Sequence, residues 1–137
     1  MRARVGIDLV YIHDVRDALS TFGERYLSRI FTARERAYCC EDWPLSRSPI
    51  ACMASPPPRV AQRLAARFAA KEAVFKLLRS PGGVGYRDVE VVSGGGDVVL
   101  SGAAAELARA RNLGPIDISL THEGDYAAAC ATALEDA

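Results

Sequence analysis

Residues 59–78 constrain the fold more than any other part of the chain. They are rich in Ala, Leu and Arg, all strong helix formers, so a long helix is expected there. Apolar side chains nearly encircle it, at Ala65, Phe68, Ala69, Ala73, Val74 and Leu77. A surface helix shows one apolar stripe, whereas a helix that is apolar on most sides has to be enclosed. The segment is therefore expected to run through the middle of the fold, with the other elements laid around it.

Those other elements can be read from period and punctuation. Residues 4–12 alternate, with Val5, Ile7, Leu9 and Tyr11 on one face and Arg4, Gly6, Asp8 and Val10 on the other. A strand is expected whose buried face is that of Val5, Ile7 and Leu9, with Asp8 pointing to the opposite side. Residues 14–40 turn helical, and Thr32-Ala33-Arg34-Glu35 matches a capping box that starts a further helix. Residues 41–58 hold Trp43-Pro44, Ser48-Pro49 and Ser55-Pro56-Pro57-Pro58, which exclude regular structure. They are expected to form a mobile surface excursion with Trp43 packed down. Pro81-Gly82-Gly83-Val84-Gly85 stops the long helix. Residues 88–92 and 97–100 then read as strands about a turn at Ser93-Gly94-Gly95-Gly96, and residues 103–111 as a short helix. Residues 116–122 alternate again, and Gly124-Asp125 marks a hairpin turn. Residues 126–134 carry enough Ala for a helix, but their place after a hairpin turn favours a strand. The whole is one α+β domain over residues 1–137, an antiparallel sheet packed around one long central helix.

Composition removes several functional classes. Lys plus Arg and Asp plus Glu stand at 17 each, a formal net charge of zero, so there is no electrostatic footprint for nucleic acid or an anionic membrane. No stretch approaches the ~20 apolar residues of a membrane helix. Asp8 interrupts the apolar run that a signal peptide would need. Cys39, Cys40, Cys52 and Cys130 form no Cys-x-x-Cys pair, and only two histidines are present, so a zinc site is not supported. Reduced thiols in a cytoplasmic protein are expected.

The chemistry lies on the central helix. Glu72 and Lys76 are four residues apart and share a face. Spacing alone makes them a surface ion pair worth about 0.3–0.5 kcal/mol. Two features argue for more. The pair sits in the most apolar helix of the chain, where an unneeded charge is costly. Asp8 also offers a second carboxylate from a predicted central strand. Facing carboxylates suit Mg²⁺, which takes one or two protein carboxylates and completes its octahedron with water and phosphate oxygens. A lysine beside them balances phosphate charge, and such parts suit phosphoryl-type transfer. His122 and His13 read most simply as surface or hydrogen-bonded residues. Ser119, Thr121 and His122 lack the setting of a nucleophile elbow. Gly82 and Gly83 can present backbone amides to phosphate, although a plain turn is the simpler account.

Three ordered motifs resemble those of the small, single-domain holo-acyl-carrier-protein synthases, a branch of the 4′-phosphopantetheinyl transferases. Val5-Gly6-Ile7-Asp8-Leu9-Val10 is similar to the family's Gly-x-Asp-Ile-Val opening. Arg67-Phe68-Ala69-Ala70-Lys71-Glu72-Ala73-Val74-Phe75-Lys76 is similar to its Arg-Phe-Ala-x-Lys-Glu-Ala-x-x-Lys helix. Ile118-Ser119-Leu120-Thr121-His122-Glu123, followed by Tyr126-Ala127, is similar to its Ser-x-(Ser/Thr)-His and Tyr-Ala ending, and Phe31-Thr32 with Glu35 also fits. The resemblance implies the 4′-phosphopantetheinyl transferase fold. It implies transfer of the phosphopantetheine arm of coenzyme A to a serine of an acyl carrier protein, leaving 3′,5′-ADP. Asp8 and Glu72 would hold Mg²⁺, Glu72 would also help remove the serine proton, and Lys76 would neutralise phosphate charge. Arg67, Thr121, His122, Gly82 and Gly83 would contact coenzyme A. The family's homotrimer would place Asp8 and His122 on one chain and Glu72 and Lys76 on the next.

The chain also departs from the pattern. Three and six residues after the strand Asp, the family usually has Glu and Arg, where this chain has Tyr11 and Asp14. His13 and Arg16 are the nearby replacements. Arg79-Ser80-Pro81-Gly82-Gly83 stands in place of the family's Gly-Thr-Gly, and residues 41–58 look longer than usual. These differences suggest a specialised carrier partner. They also motivate an alternative, a member that binds carrier protein or coenzyme A without transfer. An unrelated Mg²⁺-dependent phosphohydrolase would use the same carboxylates.

Overall fold

The computed structural model describes residues 1–41, 43, 56–92 and 94–136. Its elements run β1 (Arg2–Tyr11), α1 (Ile12–Phe22), α2 (Glu24–Ile30), α3 (Ala33–Cys39), α4 (Pro58–Leu78), a 3₁₀ turn (Tyr86–Asp88), β2 (Val89–Val91), β3 (Val98–Leu100), α5 (Gly102–Ala110), β4 (Asp117–Glu123) and β5 (Tyr126–Glu135). β1, β5 and β4 form an antiparallel sheet in that order, and β2 pairs with β3 as a separate hairpin. α4 lies against the main sheet as the expected central helix, with Pro58 at its first position, where the missing N–H costs nothing.

Helix and sheet approach closely because the facing residues are small. Ala65, Ala69 and Ala73 of α4 are fully buried, and so are Ala127 and Ala131 of β5. The tightest point is Gly6 of β1, where a Cβ would stand 1.8 Å from the carbonyl oxygen of Ala73. Only glycine fits at that position. The Ala-rich stretch after Gly124 is a strand rather than a helix. It pairs with β1 on one side and β4 on the other, and this tertiary pairing outweighs alanine's helix propensity. Gly124, with φ of 57°, makes the hairpin turn that starts it.

The alternation of β1 holds, but its buried face is the reverse of the expected one. Gly6 and Val10 face α4, whereas Val5, Ile7 and Leu9 are about two thirds exposed, at 65%, 66% and 65%. The close approach of α4 admits Gly6 and excludes branched side chains. Asp8, two residues from both Gly6 and Val10, consequently turns toward α4. Residues 14–40 are helical as expected, and Gly23, with φ of 56°, separates α1 from α2.

The capping box forms at Thr32. Its hydroxyl accepts from Glu35 N, and the Glu35 carboxylate accepts from Thr32 N. Glu35 is buried and has further partners. Its carboxylate receives Lys71 Nζ of α4 at 2.7 Å and the backbone N–H of Val91 at 2.8 Å. Lys71 Nζ also donates to the carbonyls of Tyr86 and Val89. Three acceptors around one nitrogen match the three N–H bonds of a charged ammonium, although burial draws the Lys71 pKa down against the pull of Glu35. This buried pair ties α3 and the β2–β3 hairpin to the central helix. Trp43 is packed down as expected, and Pro58, expected to end the excursion, already opens α4, while residue 42 and residues 44–55 lie outside the described residues. Cys39, Cys40 and Cys130 are free thiols, and Cys52 also lies outside the described residues.

Candidate active site

Asp8, Glu72 and Lys76 are brought together within one chain. Gly6 seats β1 against α4 at Ala73, one residue beyond Glu72, and the two-residue period of the strand then carries Asp8 to the same side. Lys76, one helical turn beyond Glu72, donates from Nζ to Asp8 Oδ1 at 2.9 Å and to the carbonyl of Ile7 at 2.9 Å. The Asp8 side chain is only 17% exposed and that of Lys76 55%, so the ammonium opens to solvent above a sheltered carboxylate. Asp8 and Glu72 line one cavity of about 420 Å³, together with Val10, Asp14, Tyr26 and Phe68. The expected division, with Asp8 on one subunit and Glu72 and Lys76 on the next, is therefore corrected. All three meet on a single chain.

The Glu72 carboxylate has a partner that sequence reading missed. Tyr86 O–H donates to Glu72 Oε1 at 2.7 Å. The Tyr86 hydroxyl is pushed up to about 12, first by burial and then by the carboxylate it serves, so it remains a donor at neutral pH. Only its aromatic character, just ahead of a predicted strand, could have drawn notice in the sequence.

Each carboxylate has one oxygen engaged by these bonds, and no hydrogen bond reaches the second oxygen of either among the described residues. Two hard oxygen donors on one cavity fit a small divalent cation that keeps most of its shell for water and phosphate. Among the described residues no cluster of three or more His, Cys, Asp or Glu offers a denser site. Asp14 adds a third carboxylate to the cavity wall without joining such a cluster.

A second cavity, of about 380 Å³, lies on another side of the helix. Arg67 and Glu72 are five residues apart on α4, hence about 140° apart around its axis. Arg59, Arg63 and Arg67 line this cavity with Tyr38, Thr121 and His122. Arg67 is buried, with its guanidinium 4.4 Å above the Tyr38 ring. Its Nε has no hydrogen-bond partner, and no carboxylate pairs with it among the described residues. Thr121 and His122 come from β4, two strands away from Asp8. Arg67, Thr121 and His122 are thus brought together as one basic group. Gly82 and Gly83 are not part of it. They follow the far end of α4 as exposed positive-φ residues, and Gly82 N–H turns to Ser80 Oγ at 3.3 Å.

In sequence and fold the chain is similar to proteins of one family. The pattern of the 4′-phosphopantetheinyl transferase superfamily matches residues 4–131. The holo-[acyl-carrier-protein] synthase of Desulforudis audaxviator is 42% identical over 134 residues, covering 95% of this chain and 91% of that protein. The synthase of the same description from Gloeobacter violaceus is 39% identical, with 96% and 92% covered. Among solved structures, the ACPS–CoA complex of Chronobacterium ammoniagenes superposes with a TM-score of 0.75 at 26% identity, covering all of both chains. The acyl carrier protein synthase of Mycobacterium tuberculosis superposes at 0.63 with 34% identity, covering 97% of each.

Proposed function

The chain belongs to the 4′-phosphopantetheinyl transferase superfamily, in its holo-[acyl-carrier-protein] synthase branch, and from that premise we propose the reaction its cavities support. A serine hydroxyl of an apo acyl carrier protein attacks the β-phosphorus of coenzyme A. A phosphorus–oxygen bond forms to serine, the bond to the leaving nucleotide phosphate breaks, and 3′,5′-ADP departs. The observation that carries this reading is the meeting of Asp8 and Glu72 on one cavity, with Lys76 bonded to Asp8 and a separate basic cavity holding Arg67.

Asp8 and Glu72 would hold Mg²⁺, and the ion when bound supplies positive charge to the pyrophosphate. Glu72 would help take the serine proton on the carboxylate oxygen that Tyr86 leaves free. Lys76, whose ammonium opens to solvent above Asp8, would neutralise charge on the phosphate under attack. Arg67, Thr121 and His122 receive the nucleotide phosphates, which satisfies the unpaired guanidinium edge. Catalysis of this kind is mostly positioning and charge stabilisation.

Coenzyme A has to reach both cavities, and on one chain they open on different sides of α4. A homotrimer resolves this by setting the basic cavity of one chain, and the Gly82–Gly83 loop, against the carboxylates of its neighbour. Support comes from the open face of the main sheet, where Val5, Ile7, Leu9 and Leu134 stand exposed beside Tyr11 and Tyr126. An apolar patch of that kind marks a contact surface. No helix among the described residues is long and apolar enough to cross a membrane. The free thiols of Cys39, Cys40 and Cys130 support the reading of a protein that works in a reducing compartment such as the cytoplasm.

Mass spectrometry of apo carrier proteins incubated with the enzyme, coenzyme A and Mg²⁺ tests the reading. A mass gain of one phosphopantetheine is expected, abolished in Glu72→Gln and Asp8→Asn with the fold intact. Unchanged transfer in both variants refutes the site. Asp14, a carboxylate on the cavity wall at the position where the family pattern usually has Arg, favours a second reading, a carrier or coenzyme A binder without transfer. Binding with no mass gain across several carriers would establish that instead.

A further inference from the structure

Glu72 has three side-chain torsions, and on an isolated helix its carboxylate would sample several positions. Here one donor restrains it, and that donor is itself held at three points. The Tyr86 ring stacks on Phe68, with centroids 5.5 Å apart and planes 24° apart, and leans against Phe75 at 5.1 Å. Phe68 and Phe75 lie four residues before and three residues after Glu72, on the same stripe of α4. The backbone carbonyl of Tyr86 accepts from Lys71 Nζ at 2.9 Å, and that ammonium is fully buried against Glu35. The hydroxyl is thus a fixed point delivered to Glu72 Oε1 at 2.7 Å. Lys76 engages Asp8, and Tyr86 alone donates to Glu72 among the described residues.

We propose that Tyr86 is a positioning residue for Glu72. Its hydroxyl occupies one carboxylate oxygen and so presents the other to the cation and the carrier serine. The proposal rests on the transferase reading and goes beyond it, since it assigns a specific task to a residue on the turn before β2. Partners that orient a ligating carboxylate typically change metal affinity or activity by about 10–100-fold when removed.

Tyr86→Phe tests it, because the ring contacts survive and only the hydroxyl is lost. Mn²⁺ is the probe, titrated into the purified protein without substrate and followed by the electron paramagnetic resonance of the free ion. Tyr86→Phe should weaken Mn²⁺ binding by about 10–100-fold. The Mg²⁺ concentration for half-maximal transfer should rise by a similar factor, while turnover at saturating Mg²⁺ falls by less than about tenfold. A purely structural role would instead lower the melting temperature and turnover and leave metal affinity unmoved. Glu72→Gln separates the two layers of the argument. If it binds Mn²⁺ and transfers like wild type, the transferase site is wrong. If it loses both while Tyr86→Phe keeps wild-type Mn²⁺ affinity, the role of Tyr86 alone is overturned.

Discussion

Replacing Gly6 with alanine should damage stability and catalysis together. The added Cβ would stand 1.8 Å from the Ala73 carbonyl oxygen, 2.8 Å from its carbon and 2.9 Å from the amide nitrogen of Leu77. Comfortable carbon–oxygen contact begins near 3.3 Å, so strand and helix would have to separate by about 1.5 Å. Overpacking commonly costs about 1–3 kcal/mol when side chains can shift. Here the opposing atoms are backbone in two regular elements, so the cost should be about 3 kcal/mol or more. The ~0.4–1 kcal/mol that alanine returns through the unfolded chain does not offset it. For a chain of this size that is a fall of roughly 10 °C in melting temperature. Asp8 rides on the same strand face, and a 1 Å misplacement of a reacting group can cost about 100-fold in rate. Circular dichroism melts, with transfer measured well below the transition, would check both. Gly96→Ala, with nothing within 4 Å of its added Cβ, is the control and should change stability by less than about 0.5 kcal/mol. A Gly6→Ala protein within 1 kcal/mol of wild type, and with wild-type transfer, would refute the tight strand–helix contact and the placement of Asp8 derived from it.

Ile7→Glu puts a charge on the open sheet face. It should leave the folded chain stable but dissociate the proposed homotrimer in light-scattering chromatography and lower transfer by at least tenfold. Unchanged mass and rate would refute a homotrimer formed through this face. Alkaline pH should destabilise the fold through Cys39 and Cys40, whose thiols burial pushes up to about 12 and about 11. A raised thiol pKa means that the unfolded chain loses its proton first. Their contribution is therefore intact below about pH 9 and is lost through about pH 11–12, at about 1.4 kcal/mol per pH unit for each thiol. Melts from pH 7 to 10.5 should show this decline, and Cys39→Ala should flatten it. An equally steep decline in that variant would refute the assignment.

How much of this was legible in the sequence depended on whether a signal was local. The central helix announced itself through alanine density, and the capping box at Thr32 through four consecutive residues. The alternation of β1 was equally plain, yet its buried side was misassigned. Hydrophobicity favoured Val5, Ile7 and Leu9, but the helix backbone selects for small size at the point of contact, and Gly6 answers that demand. The misassignment is informative, because the most apolar face of the strand is left for something other than this chain's own core. Tyr86 was illegible for a different reason. It reaches Glu72 from fourteen residues downstream, across a loop whose path no period encodes, so only the folded chain reveals the pair.

Adjacent residues of the central helix divide the work of structure and chemistry. Lys71 points inward, and its three acceptors fix α3, the turn at Tyr86 and β2 to the helix. Glu72, rotated by about 100°, points to the cavity. The two directions meet again at Tyr86, whose carbonyl is held by Lys71 and whose hydroxyl holds Glu72. The buried ion pair therefore does more than stabilise. A buried pair is often no better than an apolar replacement for stability alone, but an apolar side chain at position 71 would leave the Tyr86 carbonyl without its donor and the turn without its anchor. The consecutive Lys71 and Glu72 of the helix motif thus make one device, in which the inner charge sets the turn that aims the outer one.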